Sequence, residues 1–317
     1  RRRTHSAHSR FELLIGGVVP QTPERERGVR GRPASSGDDA GRSRPAGAGP
    51  AADPPTAAPG SPLMALLSAL APLLLIAIGL QVPRSPGFSQ WDGFEAFFPA
   101  ILWTHRRLLA GELPLWNPMQ NLGEPIHAMG VGGVFYFPYT LATLWVDALR
   151  WDPRTVMDVI VAMHVGCAGL GLYLLGRSFG VRPLLAMVAA VSAPMSGFIL
   201  YLGAIWIHTL PALAWGAWGA WAVKCIVDRH RTAIAVPVAV LALALPFSAG
   251  HVQPAVYNAA VTGGFACLYA LARGRASALP ALAAVGVAGV LLALPAILPT
   301  LALVPDTLRS IGVSAAE

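Results

Sequence analysis

Charge is scarce in this chain of 317 residues: charged side chains make up 12% of it and hydrophobic ones 55%. A water-soluble domain carries about a quarter charged residues. With a mean hydropathy of +0.56, the composition excludes an ordinary soluble domain and points to an all-α polytopic membrane protein. Cysteine is nearly absent. Cys167, Cys225 and Cys267 all lie inside apolar runs, and no disulfide framework or zinc site is indicated. Lysine is rarer still, since Lys224 is the only lysine among 23 basic residues. The chain also lacks a Walker loop, a dinucleotide fingerprint, a nucleophile elbow and a metalloprotease signature.

The net charge of +7 does not indicate a nucleic-acid partner. Residues 1–63 hold ten arginines against six acidic residues, and residues 64–317 hold thirteen basic against ten acidic ones. Basicity confined to a tail and to short loops suits membrane topology better than a phosphate-backbone groove. Residues 1–63 are rich in Arg, Pro, Gly, Ala and Ser, so they read as a disordered tail. If Met64 is the initiator, they read as non-native sequence.

Met64–Val82 gives 19 residues without a charge, enough to cross about 30 Å of hydrocarbon at 1.5 Å per residue. Further runs of spanning length lie at Thr155–Gly176, Pro183–Trp206, Thr209–Val227, Thr232–Gly250, Val252–Ala272 and Ala276–Val304. The run Phe135–Leu149 has 15 residues and contains Asp147. If it spanned, Arg177, Arg182, Lys224, Arg229, Arg231, Arg273 and Arg275 would all fall outside. The positive-inside rule therefore favours about seven transmembrane helices with an interfacial helix at 135–149. On that topology residues 84–153 form a long first outer loop, and most polar residues capable of chemistry share its face.

Asp92 and Glu95 stand three apart near the start of this loop. On one helical face, two carboxylates could activate an acceptor hydroxyl or hold a divalent cation, while the same positions also suit helix capping. Gly111–Pro118 and Gly123–Pro125 read as a rigid turn around Trp116 that positions groups such as Asn117. His105, Arg106 and Arg107 suit lipid phosphates or interfacial anchoring. His208 and the Gly250-His251-Val252-Gln253 turn lie at span ends, where an imidazole or amide must be hydrogen-bonded or face a cavity. Arg309, after the last span, is suited to a phosphate. Trp215, Trp218 and Trp221, with Gly216 and Gly219 between them, read as a packing stripe, and Gly166, Gly169 and Gly171 as sites of close helix approach. Asp158 and His164 are candidates for a polar contact with the loop.

Taken in order, Asp92 with Phe98-Pro99, GELPLWNP at 111–118, Gly123-x-Pro125, Phe135–Pro138, GHxQ at 250–253 with Tyr257, and LLALPAILPTLALVPDTLRS at 291–310 form a set. This set resembles the YfhO-type bacterial membrane proteins, relatives of the GT-C glycosyltransferases, over residues 64–317. The resemblance implies the N-terminal part of a longer GT-C-like domain in the bacterial cytoplasmic membrane. It also implies transfer of a sugar from a polyprenyl-phosphate donor to an extracytoplasmic glycan, lipid or protein acceptor. It puts the acidic role on Asp92. On that reading Arg309 and His251 stabilise phosphate, Gln253, Asn117 and Glu95 position substrate, and His208 is the only ionisable group of the next outer turn. A transporter or flippase and a non-catalytic envelope-assembly scaffold are the competing readings.

Overall fold

The computed structural model describes residues 89–306 together with Leu70, Leu73 and Leu74. The expectations placed on residues 1–63, on most of Met64–Val82 and on Arg309 lie outside the described residues. Among the described residues the fold is all-helical, with no strand and one isolated antiparallel bridge, between Asn117 and Glu124.

The loop region contributes a π-turn at Gly93–Phe97 followed by α1 (Phe98–Leu109), then α2 (Ile126–Met129) and α3 (Phe137–Ala148). The helical bundle comprises α4 (Thr155–Ser178), α5 (Pro183–Ser192), α6 (Gly197–Ile205), α7 (Leu210–Val227), α8 (Thr232–Ser248), α9 (Val252–Ala272) and α10 (Leu279–Leu303).

Four stretches are long and apolar enough to cross a membrane: Thr155–Ser178, Ile207–Val227, Val252–Ala272 and Ala276–Asp306. The α5–α6 pair makes a fifth if counted as one span. The expected count of about seven is therefore not reached among the described residues, for physical reasons visible in two elements. The expected Pro183–Trp206 span is bent by 42°, where Pro194 lacks an amide hydrogen and Ser196 is extended at φ −64°, ψ 145°. The Thr232–Gly250 run forms a helix of only 17 residues because Gly250 turns the chain at φ 108°. The segment at 135–149 contains the 12-residue α3, too short to cross about 30 Å.

Helix α7 lies between its neighbours and presents a different surface to each. Trp218 faces α4, where its Nε1 donates to Cys167 O at 2.9 Å. Its glycines let α9 approach: a Cβ on Gly216 would stand 2.8 Å from Asn258 Oδ1, and one on Gly219 would stand 3.2 Å from Thr262 Cγ2. The Trp/Gly stripe is thus a packing device. Gly171 plays the same part on α4, where an added Cβ would meet Ala217 Cβ at 2.9 Å, and one on Gly166 would meet Leu73 at 3.2 Å.

Successive helices alternate direction, which sorts the turns to two ends. At one end the loop meets Ala204 and Gly250: Gln90 N donates to Ala204 O at 2.8 Å, and Gly130 packs against Gly250. At the other, Phe179, Lys224, Asp228, Tyr269 and Arg273 cluster.

The loop is fastened by a buried polar chain. His164 Nδ1 faces Ile160 O at 2.7 Å and must carry the proton, so Nε2 accepts from Tyr136 Oη at 2.5 Å. Tyr136 Oη in turn accepts from Trp215 Nε1 at 3.0 Å. His164 thereby makes the expected contact with the loop. Removing the hydroxyl would leave a buried ring nitrogen and an indole N–H unpaired. Tyr136→Phe is expected to lower stability by about 1–3 kcal/mol, read as a fall in the thermal midpoint of purified protein, although no packing volume is lost.

Candidate functional site

At the loop end of the bundle lies a cavity of about 680 Å³. Phe97, Met129, Trp206 and Leu301 supply apolar wall, and His208, His251, Gln253 and Thr300 supply polar groups. Four separate parts of the chain meet here: the loop, the α6–α7 connection, the α8–α9 turn and the end of α10. Trp206 also lines a second recess, of about 280 Å³, together with Trp91, Asp92 and Tyr201.

The α8–α9 turn can approach the loop only because two residues there lack side chains. Gly130 (φ 78°) and Gly250 (φ 108°) pack backbone to backbone, and a Cβ on Gly250 would collide with the Gly130 carbonyl and lie 3.0 Å from His208 Cδ2. This explains the glycine of the GHxQ turn, with His251 and Gln253 following into the cavity wall. Gln253 Nε2 donates to Tyr257 Oη at 2.7 Å, one helical turn on. His208 is buried, donates from Nε2 to Val131 O at 2.8 Å and meets the Phe97 ring edge-on at 4.5 Å.

Asp92 and Glu95 are exposed, one at the mouth of the smaller recess and the other on the π-turn beside it. Asp92 occupies the capping position but makes no side-chain capping bond. The turn is held instead by backbone contact, since a Cβ on Gly93 would come 2.5 Å from Ala204 O. The carboxylate is therefore left facing solvent at the recess.

Other expected residues are engaged elsewhere. Asn117 is buried in the LPLWNP turn, where its backbone exchanges hydrogen bonds of 2.8 and 2.9 Å with Glu124. Its Oδ1 accepts from Met119 N at 3.0 Å, an Asx turn. It does not line the cavity. Trp116 lies against Gly123, as the rigid-turn reading requires. Arg106 forms a two-bonded pair with Asp147 of α3, at 2.7 and 3.1 Å, and Arg107 pairs with Glu112. These pairs tie the loop together. His105 corrects the interfacial expectation, because it is fully buried between Thr140 Oγ1 at 2.8 Å and Gly132 O at 2.9 Å. Among the described residues no group of three His, Cys, Asp or Glu side chains converges as metal ligands would.

No model of a known family, no curated protein and no solved structure matches this chain. The site therefore rests on its own geometry. Sequence reading missed Trp206, which borders both recesses, and Thr300, whose hydroxyl donates to Ala296 O one helical turn back in α10 at 3.2 Å. An aromatic residue at the break between α6 and α7 was the available signal for Trp206.

Gly250→Ala should cost about 1–3 kcal/mol through its positive φ and the backbone collision, measured by thermal unfolding. Gly286→Ala, in α10 with open space around it, should not. Burial drives His105 from its ordinary 6.5 down to about 4. The unfolded chain then takes up this proton first as pH falls, so the stability due to neutral His105 is complete above about 6.5. It is lost between about 6.5 and 4, up to about 3 kcal/mol. Unfolding midpoints across that range should fall less steeply in His105→Gln than in the wild type.

Proposed function

We propose that this protein is a glycosyltransferase of the bacterial cytoplasmic membrane, moving a sugar from a polyprenyl-phosphate donor to an extracytoplasmic glycan, lipid or protein acceptor. The observation that carries this reading is the cavity at the loop end, apolar along its walls and lined by His208, His251 and Gln253. A polyprenyl donor keeps its chain in the hydrocarbon and its phosphosugar at the interface. It requires an apolar groove that ends in hydrogen-bonding groups where phosphate charge develops. Asp92, free of capping bonds in the adjoining recess, is placed on this reading to take the proton from an acceptor hydroxyl. The glycosyl–phosphate bond then breaks as the acceptor oxygen bonds to the sugar carbon. The motif set around GELPLWNP and GHxQ supports the same GT-C-like assignment.

A transporter is the second reading, favoured by the bent α5–α6 pair, since broken helices build transport sites. Against it, the polar cavity groups lie at one end of the bundle, whereas coupling sites lie near the midplane.

The test is transfer of radiolabelled sugar from polyprenyl-phosphate donors into envelope polymers, using membranes that contain the wild type or Asp92→Asn at equal abundance. A general base contributes about 10²–10⁴-fold, and the variant should lose transfer by that factor. Undiminished transfer would remove Asp92 from the chemistry. Absence of transfer from every donor, with labelled substrate accumulating in vesicles, would establish transport instead.

A further inference from the structure

The end of the bundle opposite the loop gathers cations from three turns. Arg177 and Arg182 flank the α4–α5 turn, Lys224, Arg229 and Arg231 lie at the α7–α8 turn, and Arg273 and Arg275 at the α9–α10 turn. Asp228 is the only carboxylate among these turns. It takes Lys224 at 2.7 Å, Arg273 at 3.3 Å, Arg275 at 3.5 Å and the Tyr269 hydroxyl at 2.9 Å. Arg275 also donates to Val227 O at 2.6 Å, which locks the α7–α8 and α9–α10 turns together. One negative charge cannot balance this set. Arg177, Arg182, Arg229 and Arg231 are exposed and make no ion pair among the described residues.

The backbone supplies an independent observation. Helices α4, α7 and α9 end alike at this face, with a six-to-one hydrogen bond closing over a left-handed residue: Val181 N to Gly176 O, His230 N to Cys225 O, and Arg275 N to Ala270 O. In α4 and α9 the left-handed residue is Gly180 (φ 79°) or Gly274 (φ 63°), but in α7 it is Arg229 (φ 57°), and Arg231 follows at φ 52°. Two arginines thus stand in one turn where glycine would be unstrained. Strain kept at a surface turn points to a use for the side chains. The surroundings are those of a lipid, since Leu184, Ile234, Leu268 and Leu271 on the flanking helices are each more than half exposed. Acyl chains can lie along these residues while a headgroup meets the guanidinium groups.

We propose that Arg229, Arg231 and Arg273 form a binding site for the phosphate of an anionic phospholipid at this end of the bundle. The site is independent of sugar transfer and of the cavity at the loop end. To test it, purified protein in zwitterionic detergent is titrated with mixed micelles of phosphatidylglycerol, with micelles of phosphatidylcholine, and with inorganic phosphate alone, following binding and thermal midpoint. Phosphatidylglycerol alone should bind and raise the midpoint. The Arg229→Gly/Arg231→Gly double variant should melt no lower than the wild type without lipid, because glycine relieves the turn, yet lose affinity about fivefold for each arginine removed. Arg273→Ala, whose backbone is unstrained, should lose about fivefold and serves as the reading if the double variant folds poorly. Equal stabilisation by phosphatidylcholine, the same shift with inorganic phosphate alone, or undiminished phosphatidylglycerol affinity in the variants would each overturn the proposal.

Discussion

The loop end of this protein depends on burying Tyr136 with its hydroxyl fully bonded. A phenol placed among apolar helices without partners costs free energy, so the loop settles where Trp215 can donate to it and His164 can accept from it. That single seat fixes the neighbouring segment. Gly133 folds against the Tyr139 ring, Val131 receives His208, and Gly130 meets Gly250. The cavity at the loop end forms between elements positioned by this seat, and its polar groups are presented by turns whose spacing the seat sets. His105, buried beside Gly132 and Thr140, holds the same loop from the other side through a neutral ring.

The two ends of the bundle are chemically opposite. At the loop end His105 and His208 are buried and hydrogen-bonded, Arg106 and Arg107 are paired within the loop, Asp92 and Glu95 stay exposed, and apolar surface surrounds a recess. At the far end one carboxylate joins two of the three turns and leaves an excess of exposed guanidinium groups. Such a charge asymmetry between the two ends is common among helical membrane proteins. The helices between them are joined by close backbone approach: glycines on α4 and α7 admit neighbouring side chains, while Asn258, bonded to Ala242 O at 3.0 Å, links α9 to α8 inside the bundle.

Helical class, apolar runs and the glycine and tryptophan packing stripes are legible from local pattern, because a run of apolar residues or a three-residue spacing acts over one or two turns of a single helix. The sequence alone therefore determined an all-helical, membrane-type chain with a long loop before Thr155. Span lengths were less legible, since the bend after Ser192 and the stop at Gly250 depend on backbone angles at particular turns. Tertiary structure alone decided which polar residues meet. His208, His251 and Gln253 share a cavity, Asp92 faces an adjoining recess, and Asn117 and His105 are held within the loop. The physical reason is range. The bonds that make these assignments join residues far apart in the chain, such as Gln90 with Ala204 and Val131 with His208, and no periodicity within one segment specifies such a pairing.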